Sequence, residues 1–385
     1  MDLAETLLHL KVKIQKGDGT DIGDDENVGP SNLFLHSLFS QVDMFLNQRL
    51  VSSSTPTYPY RAMIETLLSY GRDAKLTQLQ GALYYKDTAG KMDVVNANAE
   101  NADANTGLKT RSKLFKGGKS VDMMGRLHGD IFNQDKYLLN RVDLILKFVR
   151  SRNTFSLLSS EDDADYKVLI QTATLWVRKV QLAPSIRLAH EKALMRGNAK
   201  YPINRVLCNV YSISRGNMNM VKDNLFNGQL PNRVIIGMLD NDAYNGSFAK
   251  NPFNFKHHSL TTLGLYVNGE PMPGKPLETK FTADGGKNYI NAYLSLFHGS
   301  ESFGKDCGNH ISREEYAEGY SLFAFDLSPD LSDGGHLSLL KKGNLKLEMT
   351  FGTPLANTVM VIVYAEFDNL IEITRERTVL FDYTN

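Results

Sequence analysis

Two glycine-rich segments come close to a phosphate-binding loop. Gly269-Glu-Pro-Met-Pro-Gly274-Lys275 has the required spacing of glycines and lysine. However, Pro276 stands where a Ser or Thr hydroxyl would hold Mg²⁺, and Pro271 and Pro273 remove amides from the cradle. Gly117-Gly118-Lys119-Ser120 has the right end, but Lys113 occupies the first glycine position. Both segments read as turns. Asp240-Asn241-Asp242-Ala243-Tyr244-Asn245-Gly246 begins like a calcium loop. An EF-hand needs an oxygen ligand at its fifth position and Glu at its twelfth, and here these are Tyr244 and Asn251. A turn-rich loop after a strand is the expectation. The nine histidines show no ligand spacing: His257 and His258 are adjacent, so on a strand they would face opposite sides, and His190-Glu191 lacks a second histidine four residues on. There is no Gly-x-Ser-x-Gly elbow. Cys208 and Cys307 are the only cysteines, expected to be reduced thiols and small buried hydrophobes. Glu314 and Glu315 form the kind of carboxylate pair a glycosidase uses, but beside Arg313 on a short helix they read as a solvated face. The expectation is a chain with no catalytic, cofactor-binding or metal-binding residues, and therefore a structural or binding role.

The elements that would have to position any site are mostly strands. Leu8, Leu10, Val12 and Ile14 alternate with His9, Lys11 and Lys13, the period of a strand with one face in a core. Residues 17–29 read as a solvated loop, 39–46 as a strand ending at an Asn47 turn, and 52–57 as a loop. Residues 58–70 have helical periodicity, with Gly71 as the C-terminal stop. Residues 91–110 are rich in Asn, Ala and Asp and read as a long, exposed, mobile surface loop. Strands are expected over 121–132, 142–149 and 167–182, with Trp176 in the core. Pro184 marks a boundary, followed by a linking helix over 185–195. The second half has strands at 204–213, 233–239 and 260–267, a helix at 289–297 stopped by Gly299, and strands at 320–327, 345–351, 358–367 and 371–381.

The two halves share an order of strand, Asn turn, loop, helix and Gly, which points to internal duplication. At 385 residues, two domains are the default, placed at 1–184 and 185–385. The expected class is mainly β: two tandem sandwiches with short helices in their loops. The 43 basic residues balance 43 acidic ones, which argues against direct genome binding and against a polybasic membrane anchor. The longest apolar stretch, 359–365, is far short of a membrane span, and residues 1–10 lack the pattern of a signal peptide.

Several strings resemble one family. They are Asn32-Leu-Phe-Leu-His-Ser-Leu-Phe-Ser-Gln-Val-Asp43, Thr57-Tyr-Pro-Tyr-Arg-Ala-Met-Ile-Glu-Thr-Leu-Leu-Ser-Tyr-Gly71 and Val121-Asp-Met-Met-Gly-Arg-Leu-His-Gly-Asp-Ile-Phe132. In the second half they are Gly237-Met-Leu-Asp-Asn-Asp-Ala-Tyr-Asn-Gly-Ser247, Asn251-Pro-Phe-Asn-Phe-Lys256, Gly319-Tyr-Ser-Leu-Phe-Ala-Phe-Asp-Leu-Ser-Pro-Asp330 and Tyr364-Ala-Glu-Phe367. Together they resemble the double jelly-roll major capsid proteins of Polinton (Maverick) elements and adintoviruses. The resemblance implies two eight-stranded jelly rolls and a hexon-like homotrimer that tiles an icosahedral shell. It also implies a minor capsid or penton protein as partner, a virion location after synthesis in the host cytoplasm, and a further strand ahead of the one at Leu8. No catalytic residue comes with it. Two rival expectations are a minor capsid or penton protein, which usually has one jelly roll, and a carbohydrate-binding or hydrolytic β-sandwich. Phe248, Pro252, Phe253 and Phe255 lie in a loop that is either tucked over its own sandwich or inserted into a neighbour.

Overall fold

The computed structural model describes residues 1–99, 104–226, 228–281, 286–300, 302–306, 308–328 and 342–382. In the first half the strands are β1 (Asp2–Lys16), β2 (Val28–Pro30), β3 (Phe39–Leu46), β4 (Arg49–Leu50), β5 (Val121–Arg126), β6 (Leu144–Arg150), β7 (Leu157–Ser159) and β8 (Tyr166–Arg178). The helices among them are α1 (Phe34–Ser37), α2 (Tyr58–Ser69), α3 (Arg72–Leu76), α4 (Thr106–Phe115) and α5 (Asn153–Ser156). Helix α6 (Pro184–Leu194) links to β9 (Ala199–Ile213), β10 (Asn219–Lys222), β11 (Arg233–Asp240), β12 (Leu260–Val267), β13 (Glu270–Glu278), β14 (Leu322–Asp326), β15 (Leu345–Phe351), β16 (Val359–Ile373) and β17 (Val379–Phe381). Among these lie α7 (Asn241–Asn245), α8 (Ile290–Gly299) and α9 (Arg313–Ala317).

The alternation in β1 buries Leu8, Leu10, Val12 and Ile14 against one core while β5 and β8 pair antiparallel on its two edges. Two tight turns use backbone that is left-handed at both central residues, the geometry that matches strand twist. They are Asn47-Gln48 between β3 and β4 (φ 47° and 65°) and Asn268-Gly269 between β12 and β13 (φ 53° and 91°).

The two halves repeat one topology. In the first, the sheets run β5-β1-β8 and β4-β3-β6. In the second, they run β14-β11-β16, with β9 on the far edge of β16, and β13-β12-β15-β10. Taken in chain order, β1, β3, β4, β5, β6 and β8 occupy the places of β11, β12, β13, β14, β15 and β16. Helix α2 stands between β4 and β5 as α8 stands between β13 and β14, so the duplicated helix expected from sequence is present in both sets.

Several expectations need correction, among them the strand over 121–132, which ends at Arg126. Residues 91–99 and 104–110 are not an exposed loop, and 100–103 lie outside the described residues: Met92, Val95, Ala97 and Leu108 are buried, and 106–110 begin α4, capped by the Asn105 side chain, which accepts from the Leu108 amide. Few apolar residues suffice there because Leu108 closes a small cluster with Val95, Ala97 and Leu158. Trp176 is 56% exposed, since β8 lies at a sheet edge. The expected strands 358–367 and 371–381 are one continuous β16 over Val359–Ile373, followed by the short β17. The polar residues Asp368 and Asn369 lie within its ladder to β9. Gly71 has φ −75° and precedes α3; it does not close α2 in left-handed geometry.

Candidate functional site

The residues that unite most of the buried charge lie along the seam between the halves. Helix α2 begins with Pro59 in its first turn, where a missing amide is harmless, and buries most of its faces. From it Arg61 donates through Nε to Glu65 Oε1 at 2.8 Å and through Nη2 contacts Asp130 Oδ1 at 2.7 Å. Asp130 Oδ1 also accepts from the Val206 amide of β9 at 3.2 Å. Glu65 Oε2 lies 2.5 Å from His128 Nδ1. His36 Nδ1 pairs with the Tyr58 hydroxyl at 2.9 Å, and its ring meets that of His128 edge-on at 4.6 Å. From β16, the Tyr364 hydroxyl donates to Glu366 at 2.8 Å and reaches Glu65 at 3.4 Å. Glu366 in turn pairs with Arg233 at 3.2 Å.

Burial works against the Glu65 charge, yet Arg61 and His128 hold its carboxyl down at about 2. Asp130 moves the other way: burial raises it despite the same guanidinium, and its Oδ2 has no hydrogen-bond partner. Burial and the neighbouring His128 push His36 far below the ordinary histidine range, so it is neutral. An open cleft of about 680 Å³ runs past these groups, with Leu7, Met124 and His128 on one side and Asn204, Arg233 and Tyr364 on the other.

A second set of contacts clasps the seam. Asp240, at the end of β11, accepts from Lys250 and Lys256, each at 2.8 Å. Burial opposes its charge, but the two ammonium groups hold its carboxyl at about 2. Lys256 also reaches Asp93 of the first half at 2.9 Å. Asn251 donates its side-chain amide to Asp87 at 2.9 Å, and Asp87 holds the fully buried Arg111 at 2.8 Å. Between them Phe253 packs edge-on to Tyr60 and Phe155, and Tyr60 stacks on Tyr244 at 5.6 Å. The aromatic loop is therefore tucked inside the chain, over the first half. Lys75 adds a third tie, donating to the carbonyls of Leu67 and Asn309; burial and Lys86 lower its ammonium to about 7.

This arrangement can hold two bodies rigidly together. It offers little for covalent chemistry, because the charges are spent on one another. Burial pushes the Cys208 thiol up to about 12, so the nucleophilic thiolate is suppressed. Cys307 lies outside the described residues. The near-miss phosphate loop is a hairpin turn at Asn268-Gly269 followed by strand β13, which holds Pro271, Gly274 and Lys275. Gly117 and Gly118 form a tight turn against Asp24 and Asp21. The calcium-like segment folds as α7 behind Asp240. His257 and His258 sit on a loop ahead of β12, not on a strand; His257 stacks on Phe281 at 4.0 Å, and His258 lies 3.9 Å from Asp240. Glu315 is less solvated than expected, forming a capping box with Ser312 and an ion pair with Lys86 at 2.6 Å. Glu191 pairs with Arg377. Among the described residues, no group of three or more His, Cys, Asp or Glu is placed to hold a metal, and no helix is long and apolar enough to cross a membrane.

No catalytic pattern in the sequence points to the seam, though each of the seven resembling strings supplies or flanks it: His36, Arg61, His128, Asp240, Asn251, Tyr320 and Tyr364 come one from each. Tyr320 ties in by donating to the Asp87 carbonyl at 2.6 Å.

A chain of the Sputnik virophage particle superposes with a TM-score of 0.60 at 12% identity, covering 98% of this chain and 82% of that one. The Faustovirus major capsid protein gives 0.52 at 10% identity, covering 94% and 77%. The mavirus major capsid protein gives 0.50 at 14%, covering 98% and 83%. The fold is a double jelly roll. By sequence, the double jelly-roll chain is similar to an uncharacterized protein of Caenorhabditis elegans, 24% identical over 362 residues, covering 92% of this chain and 81% of that protein. No protein-family model matches.

Proposed function

We propose that the chain is a viral-type structural protein, a major capsid protein without enzymatic activity. The observation that carries this reading is the double jelly roll spanning nearly the whole chain, shared with the virophage and Faustovirus capsid proteins at 94–98% coverage. We divide it into two rolls, 1–184 and 185–385, on the repeated strand order. Three copies would close a ring through one heterologous contact used three times, giving a pseudo-six-fold tile. Its partners are then other copies of itself in a shell lattice, with a minor capsid or penton protein at the vertices, and its place is the virion after synthesis in the host cytoplasm. The balanced charge supports a shell that does not itself bind the genome. Neither cofactor nor metal enters this role. A single-roll penton protein is a poorer reading because two sets of sheets are present.

Light scattering on purified protein should report a trimer, and electron microscopy should show tiles or closed shells. A permanent ring of this kind buries roughly 2,000 Å² or more in total per interface. A stable monomer at micromolar concentration with specific binding on a glycan array would replace this reading with the carbohydrate-binding one.

A further inference from the structure

Lys75 stands apart in a seam whose other charges are spent on one another. It lies on α3, just after Gly71, and is 2% exposed. The second half comes close here: a Cβ added to Gly71 would meet the Gly308 carbonyl at 3.5 Å. Nζ donates to the Leu67 carbonyl at 2.8 Å and to the Asn309 carbonyl at 2.5 Å. The first is one of the carbonyls that the C-terminal end of α2 leaves without a helical amide. The second belongs to the other half. No carboxylate pairs with Lys75 among the described residues, and Lys86, itself paired with Glu315 at 2.6 Å, repels its charge. A buried ammonium without an anion is costly, so the site favours the neutral amine, which is a nucleophile.

Asn309 supplies a matching electrophile. It too is 2% exposed, and its Nδ2 has no hydrogen-bond partner, a cost for a buried amide. Its Oδ1 accepts from the Ile311 amide at 3.1 Å, which polarises the side-chain carbonyl. Because Nζ already touches the Asn309 backbone, Cγ of the same residue lies within a side-chain rotation of it. His310 follows, with a buried Nδ1 that also lacks a partner. Burial, Lys86 and Lys75 lower that imidazole below the ordinary histidine range, so it is a neutral base.

We propose that Lys75 and Asn309 form an isopeptide bond across the seam, made by the folded chain alone. Neutral Nζ attacks Cγ; the Nζ–Cγ bond forms and the Cγ–Nδ2 bond breaks, its electron pair leaving with the nitrogen. One Nζ proton passes to Nδ2, with His310 Nδ1 able to carry it, and ammonia departs. No oxidant, reductant or cofactor is consumed. The step removes both costs at once, the unpaired buried ammonium and the unpartnered amide nitrogen. It joins residues 234 positions apart and closes the two halves into one covalent ring. Nothing in it depends on the capsid reading.

Mass spectrometry of the full chain is the test. The folded protein should be lighter than its sequence by one ammonia. Trypsin should release residues 73–86, uncut at Lys75, joined to residues 306–313. Protein purified unfolded and then refolded should gain the bond with time, faster as the pH rises through about 7, where Lys75 gives up its proton. Asn309→Ala keeps the backbone carbonyl that Lys75 grips and removes only the electrophile. It should fold, show no loss of ammonia, and unfold at a lower temperature than the cross-linked protein. Lys75→Arg should likewise keep the mass of its sequence. The wild-type masses decide the matter even where a variant fails to fold. A refolded wild-type chain that still has the mass of its sequence after long incubation above neutral pH would overturn the proposal. A cross-link at Lys75 that survives Asn309→Ala would overturn it too, since the lysine would then have another partner.

Discussion

Arg61 is the residue on which the seam most depends. It is the shared cation of two buried carboxylates, one of them with an oxygen already lacking a partner. Removing one member of a buried ion network leaves the others charged and unpaired, at about 3–5 kcal/mol. Arg61→Met should therefore destabilise the protein by that amount in urea unfolding, while Arg126→Met, whose partner Glu5 is exposed, should change it by less than about 1 kcal/mol. A second residue-scale expectation concerns pH. Burial and mutual repulsion lower His257 to about 4, and burial, with Lys256 and Lys250 beyond it, lowers His258 to about 4 against the pull of Asp240. An unfolded histidine takes its proton near 6.5, so between roughly pH 6.5 and 4 the unfolded chain binds protons that the folded one refuses. Stability is then full above that window and falls as the pH drops through it, by on the order of 1–3 kcal/mol for each histidine. Asp240 and Glu65, held near 2, stay charged in the folded chain and add to the fall only below about pH 5, where their unfolded counterparts begin to take protons. The urea midpoint measured from pH 7 to 4 should fall, and a His257→Gln, His258→Gln variant should show a flatter profile.

At the scale of elements, sequence periodicity was read well where one face alone is buried. The alternation in β1 is legible because local pattern and tertiary burial agree. It failed where cover comes from elsewhere. The join between the two expected strands near residue 368 was an artefact of polarity: Asn369 is buried and bonded to Arg205, so a polar residue sits inside β16. Residues 91–99 and 104–110 carry no period because their ordering is by side-chain hydrogen bonds and a four-residue apolar cluster. Trp176 was misplaced because apolar character cannot distinguish a strand in a core from one at an uncovered edge. Apart from Arg61–Glu65, one helical turn apart, the polar seam leaves no local spacing, since Arg61–Asp130, Glu65–His128, Arg233–Glu366 and Lys256–Asp93 join residues distant in the sequence. These corrections make a further expectation. Leu108 is fully buried on α4, with a methyl group close to Gly29 of β2. Leu108→Ala should lower stability by about 2–5 kcal/mol. If 91–110 were the exposed loop its composition suggests, the change would be within about 0.5 kcal/mol.

At the scale of the whole molecule, the two sets of sheets are bound by more than a linker. Asn251 and Lys256 of the second half bond Asp87 and Asp93 of the first, Phe253 packs between Tyr60 and Phe155, and Lys75 of the first half grips the Asn309 carbonyl. Cutting the chain near residue 184 would expose this aromatic cluster and leave Glu65, Asp87 and Asp93 without their cross-seam partners. Buried charge of that kind stabilises only when both sides are present. The halves should then behave as one cooperative unit despite their repeated topology. Calorimetry on the intact chain should give a single transition whose van't Hoff and calorimetric enthalpies agree. The segment 185–385 expressed alone should be poorly soluble, and its yield should recover on co-expression with 1–184. Two resolved transitions, or a soluble and fully folded 185–385, would show that each roll closes its own core and that the seam is a contact between finished domains.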